Sequence, residues 1–483
     1  MLIGGSIVAT IWLDKISGAP ECLIRSYFFV LTLMEHTETT GLDYAGGKIS
    51  RLFSKIFFPT LLGMIFNALI TIIDGVFVGR SVGPDGIAAV NIIAPLFMVV
   101  TGCGLMFGIG SSVIAGIAIA RGDARRASVS TTQACVFSLM LISALTASLL
   151  LFRHDTARLL GCSDDLMPHA IDYLTWLIPG IFFLIFECIG MMVIRLDGSP
   201  KFAMYCNIIP AVINIALDYY LVFPCGMGVK GAAIATSASI AIGAAMVLVY
   251  FMRFSYIIKF RWSSRGFAAN CMRQIRIGSS AFITEIAMSV MMLTGNYVFM
   301  QYYGDTGVAA FSIACYLFPL MFMISNAVAQ SAQPIISYNY GAGATNRVSH
   351  AFRLSLKVAA LCGLISFASI ALGARQIVSL FISPDCPAGR LATAGLPVYS
   401  VCALFFAVNI SFIGYYQSIE KALKAMVLTL MRGIVVLVPM FLLLPRIAPD
   451  RGVWAAIPLS EASTLAIICA TYQLSARKFA RFS

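Results

Sequence analysis

Gly83–Val90 reads GPDGIAAV, and Gly304–Phe311 reads GDTGVAAF, 221 residues further on. The same interval carries Gly122, Arg126 and Ser128 onto Gly343, Arg347 and Ser349. A second set repeats at 224: Gly190 with Gly414, and Gly228-Val229 with Gly452-Val453. Residues from about 50 to 475 therefore read as one unit written twice. In an apolar chain, such duplication is how transporters build two halves that rock about a central site.

Composition agrees. Hydrophobic residues make up 60% and charged residues 11% of the 483, against roughly 25% charged in a soluble domain. So little charge cannot cover a water-facing surface, so the chain is read as a polytopic all-α membrane protein. The net charge of +12 does not point to nucleic acid. The Lys and Arg residues sit in short clusters between apolar runs, as juxtamembrane charges do.

Twelve apolar spans are expected, each near the roughly 20 residues that cross a bilayer as helix. Their limits are about 53–78, 86–118, 129–152, 169–194, 201–223, 229–253, 275–302, 307–335, 350–373, 393–417, 422–444 and 452–474. Six spans per half give both halves the same sense and two pseudo-symmetric lobes, related by an axis along the membrane normal. The expected organisation is a leader 1–49, an N-lobe 50–253, a linker 254–274, a C-lobe 275–475 and a tail 476–483. Lys and Arg cluster on the side of Arg121, Arg125, Arg126, Arg195, Lys201, the 253–276 segment, Arg347, Lys421 and Lys424. The positive-inside rule then puts both termini in the cytoplasm. Residues 1–33 lack a clean signal peptide. Met34 opens a polar leader, MEHTETTG, and is the expected translation start.

The 13 cysteines are scattered, without a C-x-x-C pair, and only 4 His are present. They read as apolar filler, not as a disulfide framework or zinc site. The turns at Gly83 and Gly304 are not phosphate loops, since no Lys follows. A membrane-embedded transferase would need an acidic metal motif, and the only adjacent acids are Asp164-Asp165. An enzyme is not expected.

Ionisable residues inside spans are costly and mark function by default. Asp74 lies towards the outer end of span one; Asn214 and Asp218 lie in span five, four residues apart and so on one helix face. Thr236 lies in span six. Two carboxylates, an amide and a hydroxyl form an oxygen set that suits H⁺ or Na⁺ and not zinc or copper. Glu187, Glu285 and Glu461 are further candidate transport acids, and the first two should face a cavity. Pro59, fifteen residues before Asp74, frees a carbonyl and permits a kink. Competing roles are interfacial solvation for Asp74 and Asp218, and helix–helix hydrogen bonding for Asn214 and Thr236.

These features resemble the multidrug and toxic compound extrusion (MATE) family over about 50–475. Pro59 followed by DGVFVG (Asp74–Gly79) resembles its first helix. Asn214, Asp218 and Thr236 resemble the cation site of the DNA-damage-inducible-protein-F branch. RLDGSP (Arg195–Pro200), QPIISYNYGA (Gln333–Ala342) and GVWAAIP (Gly452–Pro458) are similar to the loop after helix four, the end of helix eight and the start of helix twelve. The resemblance implies a monomeric inner-membrane exporter without a cofactor, in which H⁺ or Na⁺ re-entry expels amphipathic, often cationic, small molecules. A lipid-linked oligosaccharide flippase is the alternative. It would need arginines in the central cavity, whereas Arg and Lys here read mostly as loop residues.

Overall fold

A computed structural model describes residues 42–482 apart from Gly83, Gly161, Ser163 and Asp165. The expected start at Met34, its polar leader, the Gly83 turn residue and Asp165 lie outside the described residues. Ten continuous helices are long and apolar enough to cross a bilayer; the bent pair Pro387–Ser400 and Cys402–Ser418 adds one more. The longest, Phe267–Gly341, is two spans joined at Gly304. Twelve spans result, and no strand occurs among the described residues.

We number them α1 (Ile49–Ser81), α2 (Pro84–Ala120), α3 (Ala124–Leu151), α4 (Met167–Leu196), α5 (Pro200–Val222) and α6 (Gly228–Val249, extended by a π turn, Tyr250–Phe254). The second lobe holds α7 (267–303), α8 (305–341), α9 (Thr345–Leu372), α10 (the bent pair), α11 (Ala422–Leu430, a π turn Met431–Val435, then Leu437–Ile447) and α12 (Pro449–Phe482). Gly304 has φ 60° and ψ −152°, a region essentially confined to glycine. There the chain reverses tightly enough for Phe299 and Phe311 to stack at 4.5 Å. Short helices Arg153–Leu159 and Ala374–Phe381 follow α3 and α9, and neither was foreseen. The bend in α10, 42° at Val401, was also unforeseen.

Packing follows membrane rules. Many hydroxyls inside spans bond back to their own helix, as Thr132 does to Ser128 O and Thr429 to Ala425 O. That satisfies them where no water is present. Apolar side chains face outward on α9, with Leu361, Leu364 and Ile365 exposed. Such a patch would be a liability in water and is ordinary in lipid. Where α2 crosses α7, a Cβ at Gly278 would collide with the Met106 carbonyl. Small residues thus let the lobes approach backbone to backbone.

The lobes also meet at the face where α1 begins. Arg195, read above as a loop residue, is instead buried at the end of α4, and its Nη1 donates to Gln330 Oε1 of α8 at 2.6 Å. Tyr44 Oη donates to the Arg195 carbonyl at 2.8 Å. Arg347 Nη2 donates to the carbonyls of Tyr44 and Gly47 at 3.0 and 2.7 Å. The segment ahead of α1 therefore ties the end of α4 to α8 and α9. The first turns of α1 (Ile49, Leu52, Phe53, Ile56, Phe57) join an apolar cluster with Ile335, Ile336 and Phe352 of the second lobe.

Candidate functional site

Within the first lobe α1 lies against α5. A Cβ at Gly63 would sit 3.2 Å from Asn207 Nδ2, so the helices nearly touch there. Eleven residues further along each helix, about three turns at 3.6 residues per turn, stand Asp74 and Asp218. The whole-turn interval returns both carboxylates to the contact face, within electrostatic reach of each other. Asp218 is fully buried and Asn214 almost so, while Asp74 is half-buried.

The site is short of donors and of positive charge. Both oxygens of Asp218, Oδ1 of Asp74 and both polar atoms of the Asn214 side chain are buried without a hydrogen-bond partner. Neither carboxylate makes an ion pair among the described residues. Buried polar atoms are paired in the large majority of cases, and an unpaired cluster needs a reason. Five such atoms on one stretch of α1 and α5 form an oxygen-rich nest that one proton or one small hard cation would complete.

Of the expected set Asp74, Asn214, Asp218 and Thr236, the first three lie on this stretch of α1 and α5, and one neighbour was not named from the sequence. Tyr173 of α4 packs beside Val78, Val222, Val229 and Ala232 and lies within electrostatic reach of both carboxylates. No local pattern marks it, since α4 reaches the pair only through tertiary packing. Thr236 is half-buried on α6 and makes no direct hydrogen bond to either carboxylate. Pro59 lies inside α1, which runs through it as one helix.

The three further acids have three different surroundings. Glu285 of α7 lines a cavity between the lobes with Thr284, Asn326, Gln330, Gln333 and Gln417, as expected for it. Glu187, also expected at a cavity, is buried between α4 and α6, with its carboxylate against Gly243. Glu461 is enclosed in the second lobe. Arg432 Nε donates to its Oε1 at 2.7 Å, and Asn409 Nδ2 donates to Oε2 at 2.7 Å and to its carbonyl at 3.0 Å. Arg432 sits on the π turn of α11, its guanidinium 4.2 Å from the Phe406 ring centroid. It lies mid-span in the apolar run 422–444 and was not singled out from the sequence. Each lobe thus buries acidic groups, but among the described residues only the second pairs one with a counter-charge.

Twelve spans in two lobes around an inter-lobe cavity, with an uncompensated acid pair in one lobe, are the plan of a membrane transporter. The chain belongs to the MatE family, whose model matches twice, at residues 59–220 and 280–442. The matches begin 221 residues apart, the interval of the internal repeat. Among similar curated proteins, "Multidrug export protein MepA" of Staphylococcus saprophyticus is 25% identical over 87% of this chain and 92% of its own length. An "FAD transporter" of Shewanella oneidensis is 24% identical over 86% and 92%. Among solved structures, a MATE transporter of the MOP superfamily in an outward-facing conformation aligns with a TM-score of 0.85 at 23% identity, covering 91% of this chain and 99% of that one. A MOP superfamily transporter from Pyrococcus furiosus aligns at 0.84, 23%, 91% and 99%. At that identity the structural likeness speaks for the fold alone.

Proposed function

We propose that this protein is a multidrug exporter, an antiporter that expels amphipathic, often cationic, small molecules by coupling to inward movement of H⁺ or Na⁺. One observation carries the reading: Asp74 and Asp218 face each other with buried oxygens that lack both a donor and a counter-charge. Asp74, Asp218 and Asn214 bind the coupling ion, with Thr236 and Tyr173 at the edge of its shell. Binding neutralises the pair and weakens the hold of water on that lobe. The lobe then favours a tighter form in which α1 bends at Pro59, and substrate is displaced. The arrangement needs no cofactor, works as a monomer in a bacterial-type inner membrane, and keeps both termini in the cytoplasm.

Glu285 and the amides of Gln330, Gln333 and Gln417 give the inter-lobe cavity an acidic, polar wall. A cation suits that wall better than a lipid-linked pyrophosphate. Arg195 and Arg432 are buried, but neither lines this cavity, so the flippase alternative gains nothing from them. The test is uptake of a cationic dye into inside-out vesicles under an imposed pH gradient or an imposed Na⁺ gradient, separately. One gradient should drive dye above its bath concentration. Movement that only equalises concentrations under both gradients would indicate a passive pathway.

A further inference from the structure

The connection from α6 to α7, SYIIKFRWSSRG (Ser255–Gly266), is irregular in conformation yet held at many points. The Asp197 carboxylate accepts from the backbone N–H groups of Tyr256, Ile257 and Ile258, at 2.8, 2.9 and 3.1 Å. Lys259 N–H donates to Ser128 Oγ at 3.2 Å, and Arg261 N–H to Thr132 Oγ1 at 2.9 Å. Gln133 Nε2 donates to the Ser263 carbonyl at 2.7 Å. The backbone is thereby stitched to α3 and to the end of α4.

Its side chains are left over. Tyr256, Ile257, Phe260 and Trp262 are 40, 39, 41 and 57% exposed. Lys259, Arg261 and Arg265 are exposed and make no ion pair among the described residues. From Gly198 to Tyr303 the only acids are Asp218 and Glu285, both inside spans. Interleaved aromatic and basic side chains at the end of a span suit the headgroup layer of a bilayer.

Beneath this strap is a groove between α3 and α4. Its walls are Leu139, Ile142, Phe182 and Phe186, with Phe260 of the strap and Thr132 at one end. Thr132 is the residue that anchors Arg261. The groove therefore ends where Lys259 and Arg261 flank Phe260. It is almost wholly apolar and lies between membrane spans, so a hydrocarbon chain fits it. The unpaired cations at its mouth ask for an anion on the same molecule.

We propose that the α6–α7 strap and the α3–α4 groove form a binding site for one anionic phospholipid, its phosphate held by Lys259 and Arg261 and one acyl chain in the groove. The site is separate from the acid pair and does not depend on what the protein exports. A zwitterionic lipid fills the groove but gains less from the strap. Each basic residue near a membrane surface is worth roughly a fivefold change in affinity for anionic lipid, so two together give about 30-fold.

The test is native mass spectrometry of the purified full-length protein titrated with phosphatidylglycerol or phosphatidylcholine of identical acyl chains. The protein should prefer phosphatidylglycerol. Lys259→Gln with Arg261→Gln, both at exposed positions, should cut that affinity about 30-fold and leave phosphatidylcholine unchanged. Leu139→Trp, which fills the groove from a half-exposed wall position, should weaken both lipids. Arg121→Gln with Arg125→Gln, an equal loss of charge at the α2–α3 turn, should change neither. Soluble glycerol phosphate should not compete. Undiminished phosphatidylglycerol binding in the Lys259, Arg261 double variant would overturn the proposal. So would an equal loss in the Arg121, Arg125 control, or displacement by glycerol phosphate.

Discussion

At the scale of residues, what separates the two lobes is whether a buried acid has been given a partner. Glu461 has Arg432 and Asn409; Asp74 and Asp218 have only each other. Removing one member of a buried pair strands a charge and costs ~3–5 kcal/mol, whereas replacing both with apolar groups is often neutral. Arg432→Met alone should therefore lower the thermal unfolding temperature sharply. Arg432→Met with Glu461→Met should restore most of the stability and retain uphill export. A stable double variant that has lost export would make Glu461 a transport acid. This contrast could not be read from the chain alone. Arg432 lies inside the apolar run 422–444, and nothing in the chain shows that the π turn carrying it points its guanidinium at Glu461. Spacing alone showed the common face of Asn214 and Asp218; the pairing of Asp74 with Asp218 was implied by the family resemblance. Tyr173 was not legible, because its proximity is set by how α4 packs and by nothing nearby in sequence.

At the scale of elements, apolar runs of the right length gave the spans, but not their irregularities. A π turn, a break at Val401 and a hairpin through Gly304 depend on local hydrogen bonding that hydropathy does not report. Gly304→Ala forces a side chain into a conformation that costs ~1–3 kcal/mol, and should reduce thermal stability in detergent by that order without moving the acid pair. The closure at the start of α1 gives a second expectation. Arg347 holds the carbonyls of Tyr44 and Gly47 and the Oδ1 of Asn339, and one charged hydrogen bond contributes about 1.5–3 kcal/mol. Arg347→Ala should loosen that seam, so a cysteine placed at Gln330 should react faster with a membrane-impermeant thiol reagent than in the parent protein. Unchanged labelling would mean that the α2–α7 contact closes this face unaided.

At the scale of the whole molecule, duplication explains both the symmetry and its breaking. Two copies of a six-helix unit give equivalent lobes. Divergence then left one lobe with an uncompensated acid pair and the other with an internal ion pair, and in the proposed function only the first responds to a cation. The 221-residue repeat made the twelve-span plan readable before any coordinate was known. The burial of Arg195 and its reach to Gln330 across the lobes could not be, since they are products of assembly. Orientation is checked by cysteines introduced at Arg265 and Asp305. The first should label only from the cytoplasmic side and the second only from outside, and reversed labelling would overturn the topology. The most direct test of the central claim is dye accumulation by reconstituted protein under the driving ion gradient, comparing the parent with Asp74→Asn, Asp218→Asn and their combination. Each single variant should insert normally yet fail to raise dye above its bath concentration, and the double variant should be no worse than either, because the two carboxyls act as one site. Full uphill accumulation by the double variant would contradict the account and move the coupling site elsewhere.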